Sequence, residues 1–158
     1  MSDLGKIFGK LYDKYIDRIY RFIYLKVGSE ETAEDLCSEV FMKGWEAYKS
    51  KRRIENPQAF LYKIARNLIA DYYRKKVKVQ SVSAQYISVA DPKPNPEQKA
   101  IFSSDIERVR SALSELKDDY QNVIVWRYLD NLSIAKIAMM LNRSKGATRT
   151  MLYRALAD

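Results

Sequence analysis

Lys145, Arg149 and Arg154 carry the chemistry most directly read from this chain. An ammonium or guanidinium at an outward helix position reaches a DNA phosphate, and arginine also matches the paired acceptors on the major-groove edge of guanine. What surrounds these cations decides whether they do so. Ile134, Ile137, Ala138 and Leu141 recur at helical spacing, and so do Ala147, Met151, Leu152 and Ala155. Ser133 and Ser144 each stand where a hydroxyl caps the first free backbone donors of a helix. Asn142 takes the corner between them, and Asn tolerates a left-handed backbone better than any residue but Gly. Small Ala138 lets the second helix cross closely over the first. This is the layout of a helix-turn-helix, whose second helix enters the major groove. An ordinary helical hairpin in a small all-α domain is the competing reading of this segment alone.

The elements that must position these residues follow from composition and period. The chain has 158 residues, 47% of them apolar, with five Gly and four Pro, as expected of a mostly helical protein of one domain or two small ones. It contains no His and one Cys, Cys37. This excludes His-based acid–base catalysis, Ser-His triads, an intrachain disulfide and nearly every transition-metal site. No Gly-rich phosphate loop is present. The expectation is a binding protein rather than an enzyme, with no metal, cofactor or small-molecule substrate. No apolar run is long enough to span a membrane, and Met1 to Lys6 lacks the apolar stretch of a secretory signal, which predicts a cytoplasmic protein.

The net charge of +8 is segregated. Lys43 to Gln80 holds 11 basic and 3 acidic residues, Gly28 to Met42 holds 5 acidic and no basic ones, and Asn131 to Asp158 holds 5 basic and 1 acidic. Clustered positive charge is the footprint of a polyanion binder. The apolar period predicts a first helix from Leu4 to Val27 and a second capped by Ser29 with Cys37 on its core face. Asn56-Pro57 opens a third, as a cap followed by Pro at the first helical position. The pattern stops over 79–95, where Asp91 to Pro96 is Pro-rich, and resumes in further helices. The expected architecture is all-α: two small helical domains, 1–78 and 96–158, joined by a flexible linker over 79–95.

Taken together, the segments resemble the sigma-70 family of bacterial RNA polymerase sigma factors, specifically the two-domain extracytoplasmic-function group. Three motifs carry the resemblance: Ala33 to Phe41 with Trp45, Ala59 to Arg74, and Leu113 to Leu132 followed by the helix-turn-helix. It covers nearly the whole chain.

The resemblance implies a cytoplasmic bacterial subunit that binds core RNA polymerase at its clamp and flap, recognises and melts promoter DNA, and is held by an anti-sigma factor. It implies polymerase binding by Glu34, Asp35 and Glu39. Lys51, Arg52, Arg53, Lys63, Arg66, Arg74 and Lys75 become phosphate guides at the −10 element, with Asn67 reading a base edge there. Reading of the −35 element falls to Ser144, Lys145, Thr148, Arg149 and Arg154. The chain departs from the family pattern at Lys136, where Glu is frequent, at Arg143, where an aliphatic residue usually packs in the turn, and at Thr148, where Val is usual. A free-standing helix-turn-helix regulator is the alternative, against which the basic stretch in the first domain weighs.

Overall fold

A computed structural model of the protein describes residues 3–50, 54–83 and 104–157, with side-chain surroundings for all of these except 79–83 and 104. The described residues are helical with short connections, and the chain divides into two compact units, 1–107 and 108–158.

The first unit is built on three long helices, α1 (Asp3–Val27), α2 (Glu30–Lys49) and α3 (Pro57–Ser83). Gly28 ends α1 in the left-handed region at φ 72, a conformation that costs Gly nothing. Ser29 follows at once as the cap of α2, its Oγ accepting the Thr32 N–H at 3.3 Å. Asn56 caps α3 through Oδ1, which accepts the Ala59 N–H at 3.2 Å. The three helices meet over Ile19, Phe22, Ile23, Ala33, Val40, Leu61, Tyr62 and Ala65, all essentially removed from water. Phe22 and Tyr62 pack edge to face with ring centroids 5.1 Å apart. Gly44 lets α2 approach its neighbours, because a Cβ there would lie 3.2 Å from Leu61 Cδ2 and 3.5 Å from the Phe8 ring.

One boundary differs from the sequence reading. The expected linker began at residue 79, but α3 continues to Ser83. Val79 to Ser83 contain neither Pro nor Gly, so nothing in them breaks a helix already propagating. Residues 84–95 of that linker lie outside the described residues.

The helices that follow are α4 (Ser104–Leu113), within which the boundary between the units falls, then α5 (Asp118–Ile124), α6 (Ile134–Leu141) and α7 (Lys145–Ala157). Between α5 and α6 the chain widens into a π-helical turn, Val125–Leu129, in which the Asp130 N–H donates to the Val125 carbonyl at 3.0 Å. Asn131, at φ 56, turns the chain out of it. Val123, Val125, Trp126, Leu132, Ile137, Ala138, Met151 and Ala155 form the core. α7 packs across both α5 and α6.

Candidate nucleic-acid interface

The helix-turn-helix is fixed by its caps. The Lys136 N–H donates to Ser133 Oγ, and the Ala147 N–H to Ser144 Oγ, each at 3.1 Å. Asn142 is left-handed at φ 55, ψ 46. The Arg143 N–H reaches back to the Ala138 carbonyl at 3.0 Å and the Asn142 N–H to Met139 at 3.2 Å, the paired bonds of a Schellman turn. The direction in which α7 leaves α6 is therefore set by backbone geometry.

α7 has two faces. Thr148, Met151 and Ala155 are buried against the unit's core, whereas Lys145, Arg149, Thr150, Tyr153 and Arg154 are exposed. At 100° per residue, Lys145, Arg149 and Tyr153 share one edge, and Arg154 lies about 140° round from Arg149. The five residues expected to read DNA thus do not form a single surface. Ser144 is exposed and caps the helix through Oγ, an acceptor role that does not use its O–H donor. Thr148 is a correction: it is 0% exposed, and its Oγ1 donates to the Ser144 carbonyl at 2.9 Å, so it belongs to the core and has no base to meet. Tyr153, 78% exposed and one turn beyond Arg149, escaped the sequence reading. The available signal was a large aromatic at an outward position of the second helix of the helix-turn-helix.

In the first unit, α3 arranges its predicted residues as a stripe. Lys63, Asn67 and Arg74 are exposed and, with Ala70 between them, fall at intervals of four, three and four residues along one edge. Lys75 is exposed about 100° to one side, and half-buried Arg66 lies about 60° to the other. Arg74 is ion-paired with Asp71 on the same helix. Tyr73, also exposed, donates its hydroxyl to the Lys26 carbonyl near the end of α1, and Lys76 lies over the Tyr72 ring, 5.8 Å from its centroid. Lys51, Arg52 and Arg53 lie outside the described residues.

The acidic helix presents a different chemistry. Asp35 and Glu39 are exposed on one stripe of α2, which Glu31 and Glu46 extend at either end. Met42, 64% exposed, interrupts it. Glu34 is exposed too but stands about 100° off this stripe, on the side of α1. There, burial first and then the charges of Glu30 and Glu34 push the Tyr20 phenol up to about 12. The sequence reading missed Glu31 and Glu46, which the same four- and seven-residue spacings pick out. Among the described residues no group of His, Cys, Asp and Glu side chains is placed to hold a metal ion, and no helix is long and apolar enough to cross a membrane.

Two helical units, one with an acidic and a basic helix and the other a capped helix-turn-helix, define a class of DNA-binding transcription proteins. Comparison with known proteins names the family. Residues 11–79 match Sigma-70 region 2 and residues 106–158 match Sigma-70, region 4. The RNA polymerase sigma factor YlaC of Bacillus subtilis is 31% identical over 147 residues, covering 92% of this chain and 85% of that protein. The ECF RNA polymerase sigma factor BldN of Streptomyces coelicolor is 32% identical over 94% of this chain, which spans only 57% of that relative's length. Among solved structures, the sigma factor RpoE of Bartonella quintana, crystallised with the anti-sigma factor NepR, has the same fold, with a TM-score of 0.72 at 23% identity over 96% of this chain and 93% of that one. The chain belongs to the sigma-70 family of RNA polymerase sigma factors, in its extracytoplasmic-function group.

Proposed function

We propose that this chain is the promoter-specificity subunit of a bacterial RNA polymerase: it binds the core enzyme, places α7 in the −35 major groove, and captures the opened −10 element along α3. The observation that carries the reading is the opposition of charge within the first unit. A DNA-binding regulator has no use for an exposed carboxylate stripe, because carboxylates repel phosphates; a subunit that must also grip a basic protein surface does.

In this reading Asp35 and Glu39 meet cationic side chains of the polymerase clamp, with Glu34 at the edge of the contact. Lys63, Asn67 and Arg74 follow the unpaired strand and Arg66 and Lys75 flank them, while Lys51, Arg52 and Arg53, which precede α3 in sequence, are read as further phosphate contacts. Arg149 reads a guanine edge, and Tyr153 packs against a neighbouring base or thymine methyl. Lys145 and Arg154, on different edges of α7, take phosphates from the two walls of the groove. The chain supplies affinity and position, and the polymerase supplies the chemistry, so no cofactor or reactive group of its own is required. It acts in the bacterial cytoplasm, and an anti-sigma factor, such as the one bound by the Bartonella relative, is the partner expected to mask its polymerase-binding surfaces.

Gel filtration of the full chain with core RNA polymerase tests this. Stable co-elution is expected, weakened about tenfold or more by Asp35→Arg, which sets a cation against the basic clamp. No co-elution, together with tight sequence-specific duplex binding by the chain alone, would establish the free-standing regulator instead.

A further inference from the structure

The turn between α6 and α7 carries a charge that the turn does not use. Its geometry is secured by backbone bonds, including the one from the Arg143 N–H to the Ala138 carbonyl. The Arg143 side chain instead reaches across to α5, where its guanidinium lies 3.8 Å from Asp119 Oδ2, with both side chains about half exposed at 47% and 48%. That separation is too long for a hydrogen bond, and an exposed pair of this kind adds little to stability. Arg143 also lines, with Ser144 and Lys145, an open cleft beside the start of α7. It therefore borders the helix assigned to the groove while its charge rests on a carboxylate.

A carboxylate oxygen and a phosphate oxygen offer a guanidinium the same kind of acceptor. Duplex DNA presents a charge about every 1.7 Å along its axis, against the single charge of Asp119. We propose that Arg143 is a reserve phosphate contact: Asp119 holds it in the free protein, and it transfers to the DNA backbone when α7 docks. Asp119 thereby acts as an intramolecular competitor that lowers phosphate-driven binding to DNA of any sequence and leaves base reading by α7 untouched. The inference rests on the reading of α7 as the duplex-facing helix.

The test is fluorescence anisotropy of the full chain on a short duplex of randomised sequence, over a series of potassium chloride concentrations. Asp119→Asn is expected to tighten binding about two- to fivefold, the range set by an exposed ion pair. Arg143→Ala is expected to lower the slope of log affinity against log salt by about 0.9, one phosphate contact. In the Asp119→Asn, Arg143→Ala double variant the gain disappears. An undiminished gain in the Arg143→Ala background would reduce Asp119 to a bulk charge, and an unchanged slope for Arg143→Ala would remove Arg143 from the DNA; either overturns the proposal. Arg149→Ala and Lys145→Ala distinguish failure of the switch from failure of α7 to face the duplex. If they too leave affinity and slope unchanged, the reading of α7 has failed; if they weaken binding and Arg143→Ala does not, only the switch has.

Discussion

At the scale of single residues, burial separates side chains that sequence spacing treats alike. Thr148 and Arg149 are neighbours on α7, yet one is sealed in the core and the other stands in solvent. The Thr148 hydroxyl donates to a carbonyl that already accepts the Thr148 N–H, so that carbonyl stays satisfied without it. Thr148→Val is therefore expected to change stability by less than about 1 kcal/mol and to leave DNA binding unaltered, measured by thermal melting and anisotropy. Arg149→Ala is expected to cost about 1–3 kcal/mol of discrimination at one base of the −35 element while polymerase binding persists, read by competition between variant promoters; equal loss of both would defeat the assignment. Cys37, read from its spacing as a core thiol, is buried. Burial first and the charge of Asp17 second push its thiol from 9.0 up to about 11. The folded state then holds this proton more tightly than the unfolded state, so its contribution is complete below about pH 9 and is lost as pH rises toward 11. Cys37→Ser should flatten that part of the stability profile in urea titrations, and an unaltered profile would place the titration elsewhere.

At the scale of elements, the strongly periodic helices were legible because apolar period, cap and turn residue agreed at each of them: Ser29, Asn56, Ser133, Ser144 and Asn142 all sit where their chemistry predicted. The end of α3 was misplaced because the departure from apolar period after Lys78 is not itself a helix-breaking signal. The π-helical turn was not legible at all, since no residue type demands one extra residue per turn; its Val125 and Trp126 are both buried in the core. The acidic stripe on α2 was half read. Adjacent Glu34 and Asp35 look equivalent in sequence but diverge by about 100° once wound into a helix. Two glycines make the same point energetically. Gly9 faces open space in α1, and Gly9→Ala is expected to stabilise the protein by about 0.5–1 kcal/mol. Gly44→Ala sets a methyl against Leu61 and Phe8 and is expected to forfeit that gain, as denaturant unfolding of the two variants would report.

At the scale of the whole molecule, two compact units with separate cores carry different surfaces: the first an acidic and a basic helix, the second the exposed cations of α7. The division into two helical bodies was legible from the Pro-rich interval and the return of apolar period beyond it. Which helix positions are sealed in the core, as Thr148 is and Arg149 is not, was not legible, because burial depends on neighbours far away in sequence. The two faces of α7 have a consequence for how such a protein changes over generations. The residues that fold this helix, Thr148, Met151 and Ala155 beneath the Ser144 cap, are a different set from those exposed along it, Arg149, Tyr153 and Arg154. On the reading proposed above, a gene copy can therefore exchange Arg149, Tyr153 or Arg154, and with them its promoter set, while the buried side chains that hold the helix stay in place. In that reading, regulatory divergence is uncoupled from the hazard of misfolding.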